Sequence, residues 1–144
     1  MPTNNYQTSY TAAPEAAYAG QVLSSDFENI FSRQIETAAV GFGLAVGAGS
    51  ADDSAKLGGT GFEGITTADK TQVTGDYQVG VTGGVINKGY VWVTASVALA
   101  PGDTLYFVPA TGVITNVSTS NTAIPNSKVL NTAASGGLAL LFLG

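Results

Sequence analysis

The chain contains no cysteine and no histidine. That excludes disulfides, thiolate nucleophiles, Cys/His zinc sites and every histidine-dependent triad. Charge is scarce too: 10% of the residues are Asp, Glu, Lys or Arg, against about a quarter in an ordinary soluble domain. The basic side chains Arg33, Lys56, Lys70, Lys88 and Lys128 stand singly. With no basic stripe to neutralise phosphates, nucleic acid is not an expected partner. The start, MPTNNYQTSY, lacks the basic and apolar regions of a signal peptide. The longest apolar run, Leu138 to Leu143, is far below the roughly 20 residues of a membrane helix. The expectation is a protein made in a cytoplasm, with no membrane partner.

Catalytic motifs are missing as well. Without His or Cys, the remaining options are paired carboxylates, Ser/Lys pairs or bound metal. The only adjacent acids, Asp52 and Asp53, lie in a polar loop without the alternating oxygen ligands of a calcium site. Ser54 and Ser127 fall near Lys56 and Lys128, but no SxxK or GxSxG pattern accompanies them. The Gly41-Phe42-Gly43 triplet continues as GxGxxxG into a loop, so it lacks the dinucleotide fingerprint. Neither an enzyme nor a cofactor is expected.

What is present is glycine, at 19 residues about twice its usual share of about 7%, together with Ala, Ser and Thr. Gly and Thr disfavour long helices, and the composition suits short strands joined by tight turns. The densest strand signal runs from Gly89 to Asn116. Tyr90, Trp92 and Thr94 alternate with Val91, Val93 and Ala95. Two further aromatic and β-branched runs follow, Thr104 to Pro109 and Val113 to Val117, with Ala110 to Gly112 as a hairpin connection. Pro101-Gly102-Asp103 supplies the earlier turn. Trp92 is expected in the core, as is usual for a large aromatic in an alternating strand.

Elsewhere, Ala38 to Val46 reads as one buried strand, Ser50 to Gly61 as a loop and Phe62 to Thr67 as a short strand. Tyr77 to Ile86 alternates, with a bulge expected at Gly83-Gly84 and a hairpin turn at Asn87-Lys88-Gly89. Lys128 to Asn131 is a short strand, and Leu138 to Leu143 closes the chain as an apolar strand buried on both faces. Residues 24–37 fit both a helix opened by Ser25 and Glu28 and a strand alternating at Phe31, Arg33 and Ile35; the strand is favoured. The sum is all-β: a small sandwich, barrel or jelly roll of about eight strands over residues 26–144. Residues 1–25 are read as an extended N-terminal arm. Its tyrosines suit an interface, because Tyr buries an apolar body while its hydroxyl stays bonded. The candidate interface residues are Tyr6, Tyr10, Tyr18, Phe27 and Phe31.

The order of features resembles a known family. AAYAGQV is followed by SRQIETAAVGFGLAVGAG, then GVINKGYVWVTASVALAPGDTLYFVPATGVITN, and the chain closes with SGGLALLFLG. This is similar to the structural cement, or capsid decoration, proteins of tailed bacteriophages. The resemblance implies a non-enzymatic β protein on the outer surface of the virion, made in the host cytoplasm. It also implies a dimer or trimer that bridges neighbouring major capsid protein subunits and stabilises the mature head. The alternative is another virion β-module, a tail or fibre piece binding a receptor or glycan. A glycan site would call for an exposed aromatic beside an acid, for example Trp92 near Asp103.

Overall fold

A computed structural model describes residues 17–144. Tyr6 and Tyr10 lie outside the described residues. The described chain is all-β, with twelve short strands and no helix. They are β1 (Asn29–Ile35), β2 (Val40–Gly41), β3 (Ala45–Ala48), β4 (Ser54–Lys56), β5 (Thr60–Thr66), β6 (Asp76–Tyr77), β7 (Thr82–Thr94), β8 (Tyr106–Phe107), β9 (Ile114–Thr115), β10 (Thr122–Ala123), β11 (Ser127–Val129) and β12 (Leu138–Leu143). Residues 24–37 thus resolve as the strand, not the helix.

Strand β7 organises the molecule. Its first half pairs with β1 and β5, and because β1 also pairs with β4, the order β1-β4-β3-β5-β7 closes on itself as a five-stranded barrel. Its second half leaves the barrel and pairs antiparallel with β12, which pairs in turn with β11. The three-stranded sheet β10-β8-β9 shares a core with the inner face of this extension, as in a sandwich. Two clusters follow from this division. Tyr77, Ile35, Val40, Val46, Ala55 and Val85 fill the barrel end, and Val91, Val93, Leu105, Phe107, Ile114 and Leu141 belong to the larger one. Full burial of one such side chain stabilises by roughly 1.5–3 kcal/mol.

Several local expectations change. Asn87-Lys88-Gly89 does not turn the chain; β7 runs straight through it. Between Asn29↔Lys88 and Ile30↔Ile86 the register slips, leaving Asn87 as the extra residue, held by a 2.7 Å bond from Asn29 Nδ2 to its Oδ1. The bulge is therefore here. Gly83 and Gly84 pair regularly with Arg33 and Ser32, and Gly83 is needed because a Cβ would lie 2.8 Å from the Tyr77 ring. The Tyr77 hydroxyl donates to Thr67 O at 2.7 Å, and burial pushes its pKa up. The 38–46 stretch is split into β2 and β3 by a turn at Phe42-Gly43, and the expected 50–61 loop contains β4. The turn at Ala100–Asp103 and the β8–β9 hairpin form where expected, the hairpin loop spanning Pro109–Gly112.

Candidate interface face

The second half of β7 presents two unlike faces. Val91, Val93 and Ala95 point inward and are fully buried, while Tyr90 and Trp92 point outward and stay half-exposed. Strand β12 alternates in step: Ala139, Leu141 and Leu143 are buried, and Leu138, Leu140 and Phe142 are only half-buried. The register Leu140↔Trp92 and Phe142↔Tyr90 puts the outward residues side by side. Beyond β12, the Leu130 N–H donates to Leu140 O, which sets Leu130 beside Leu140, and β11 contributes Lys128 beside Phe142. Trp92 is thus part of an outer aromatic surface, not of the core, and the closing strand is sealed on one face only.

On the other side of β7 the sheet is extended by residues 20–23. The Gly20 N–H donates to Trp92 O at 2.7 Å, the Trp92 N–H to Gln21 O at 2.9 Å and the Leu23 N–H to Tyr90 O at 3.0 Å. Val22, opposite Val91, packs inward, so Leu23 falls on the outer face beside Tyr90. Phe27 then returns to stack on Phe142, ring centroids 5.9 Å apart, and Tyr90 contacts the same ring at 5.2 Å. Leu23, Phe27 and Leu130 keep 52%, 46% and 43% of their surface exposed. Together these side chains form an outward apolar patch, a kind of surface often tied to function. Lys128 stands beside it, its Nζ 6.0 Å from the Phe142 centroid.

The sequence-derived interface residues are dispersed. Phe27 belongs to the patch. Phe31 lies on β1, packed against the barrel-end cluster with the Arg33 guanidinium 4.3 Å from its ring centroid, and Arg33 pairs with Glu63 at 2.9 Å. Tyr18 lies beyond residues 20–23, its ring capped by Lys70 Nζ at 3.9 Å. Tyr90, Trp92, Leu140 and Phe142 were visible in the sequence as an aromatic run and an aliphatic tail. What was missing was the pairing that turns their alternate members to the same side.

At the β11 rim a cleft of about 490 Å³ opens between the Pro101–Thr104 turn and Ile124–Val129. Ile124, Val129 and Pro101 supply apolar walls; Asp103, Ser127 and Lys128 supply polar ones. Asp103 Oδ2 accepts from the Ala100 N–H and from Asn116 Nδ2, which ties its carboxylate into the turn and does not set it beside Trp92. Among the described residues no group of three or more His, Cys, Asp or Glu could hold a metal ion. The site can offer adhesion: apolar area, aromatic edges and a nearby recess.

Comparison with known proteins bears on such a surface. The family model of the structural cement protein (E217 gp24/Pam3 gp6) matches residues 6–144. No curated protein matches. Among solved structures, a chain from the capsid of Myoviridae phage XM1 superposes with TM-score 0.73 at 16% identity, over 96% of this chain and 97% of that one. The head fiber gp8.5 N base of bacteriophage phi29 superposes with TM-score 0.55 at 15% identity, over 81% and 94%. At these identities the likeness is one of fold.

Proposed function

Since the chain belongs to the phage structural cement family, and is therefore a virion structural protein, we propose that it binds the outside of the head and cements neighbouring major capsid protein subunits, without catalysis. The observation that carries this reading is the Tyr90–Trp92–Leu140–Phe142 face, an outward apolar surface set side by side by the β7–β12 register. Apolar contact of about 25 cal/mol per Å² over a single patch gives modest attachment per copy. Contact with two shell subunits at once, repeated by symmetry, multiplies it into avidity. Aromatic anchors such as Trp92 dominate interfaces of this kind.

The test is co-sedimentation of the purified protein with expanded heads that lack it, followed by heating of the decorated and bare particles. Saturable binding to heads, raised particle stability and loss of both on Trp92→Ser support the reading. Absence of binding, or turnover of a substrate by the purified chain, overturns it. We further propose that the chain upstream of residue 17 serves as an arm in this attachment and that the protein acts as a dimer or trimer.

A further inference from the structure

Residues 20–23 and strand β1 run in the same direction along β7, each antiparallel to it. They would make one strand but for a break between them. Val22 bridges Val91 and the Leu23 N–H donates to Tyr90 O, whereas Asn29 stands opposite Lys88. Two steps along β7, from Tyr90 to Lys88, therefore face six steps from Leu23 to Asn29, and four residues are looped out. The excursion, residues 24–28, returns to β7 at Gly89, where a Cβ would lie 2.6 Å from Phe27 O and 3.3 Å from the Glu28 Cα. It lays the Phe27 ring on Phe142.

An unbroken strand would pair its main-chain groups along β7, and the excursion gives that up. Among the described residues, residues 24–28 make no main-chain to main-chain hydrogen bond, and the Asp26 N–H turns to Ser24 Oγ at 3.2 Å. Holding such a segment in one shape costs entropy that contacts must offset. Here the contacts within the molecule are few, since Ser25, Asp26, Phe27 and Glu28 are all exposed, as is Leu23 before them. A detour that leaves its own aromatic side chain half in water suits contact with another molecule.

The charges on the detour say what kind of molecule. Asp26 and Glu28 flank Phe27, and among the described residues neither forms an ion pair. Lys88, next to Gly89, is exposed and closes on neither of them. Pressed against a neutral or acidic wall, both carboxylates would lose water with nothing in return; opposite cations they would keep a partner.

We infer that residues 24–28 are a docking element that seats Phe27 in an apolar recess of a shell subunit, with Lys or Arg side chains at its rim opposite Asp26 and Glu28. The inference rests on the cementing reading. It adds to that reading the segment that reaches into the partner and the charge the partner presents.

Removing residues 24–27 tests it, because Glu28 then falls opposite Gly89 and the strand runs unbroken from Leu23 to Asn29. The shortened chain should keep its fold and bind expanded heads that lack the protein roughly tenfold more weakly. Phe27→Ser, an exposed change at unchanged length, should lose about as much. The double variant Asp26→Asn/Glu28→Gln should bind about fivefold more weakly at low salt and show a flatter dependence on sodium chloride, because fewer ion pairs remain to be screened. Native affinity in the shortened chain or in Phe27→Ser overturns the docking element. Should the shortened chain not fold, Phe27→Ser decides by the same criterion. Unchanged or tighter binding by the charge variant at every salt concentration overturns the cationic rim. Full binding by the shortened chain, with binding lost in Trp92→Ser, sinks this inference and leaves cementing intact; no binding by the native protein sinks cementing itself.

Discussion

Along β12, Ala139, Leu141 and Leu143 are sealed against the β8–β9–β10 sheet, whereas Leu138, Leu140 and Phe142, one residue out of phase, stay half open beside Trp92 and Tyr90. Composition cannot tell the two sets apart, since both are aliphatic or aromatic. The difference is one of what lies opposite: a second sheet on one side, open space on the other. An apolar side chain does the same physical thing on either face, but on the inner one the partner is already in the molecule.

The contrast can be broken most forcefully at neighbouring leucines. Leu141→Ala should cost about 2–5 kcal/mol of stability through lost burial and a cavity. Leu140→Ala should cost less than about 1 kcal/mol on its own, yet weaken head attachment; chemical unfolding and co-sedimentation read the two effects separately. Next in size, Trp92→Ser should reduce affinity for expanded heads about 30-fold, the equivalent of ~2 kcal/mol for a central aromatic anchor, while leaving the folded spectrum unchanged. If instead it unfolds the protein, the outer face is structural. A smaller change tests the barrel end, remote from both faces. Tyr77→Phe removes the donor to Thr67 O and should cost about 1–2 kcal/mol without touching head binding.

The smallest effect is one of pH. The Glu36 carboxylate accepts from the Ser50 N–H and Oγ and from the Ala51 N–H, and the Ser50 main-chain bond is the first cause holding its pKa down at about 2, below the usual 4.5. A lowered folded-state value means the stabilisation is fully present above pH 4.5 and fades as pH falls towards 2. Glu36→Gln should flatten that limb of a stability-against-pH curve, and do so equally whichever face is intact.

The sequence made the alternation of β7 legible because strict period-2 order at Val91, Val93 and Ala95 has one reading. Leu138–Leu143 was harder: a continuous aliphatic run hides its own alternation, so both faces looked buried. Asn87-Lys88-Gly89 misled for a related reason. The residue types that make a tight turn also make a bulge: Asn87 is the residue the register skips, and Gly89 is needed because a Cβ there would lie 2.6 Å from Phe27 O. The barrel closure by β1 and β7, and the pairing of residues 20–23 with Tyr90 and Trp92, are contacts between distant segments that no local pattern encodes. Of the outer apolar patch, Phe27 stood out in the sequence, while Tyr90, Leu140 and Phe142 needed the register.

Strand β7 belongs to the barrel by its first half and to the exposed sheet by its second. A pull along the strand is therefore carried from the outer sheet into the closed cylinder and shared as shear by many interstrand hydrogen bonds at once, rather than opening them one after another like a zipper.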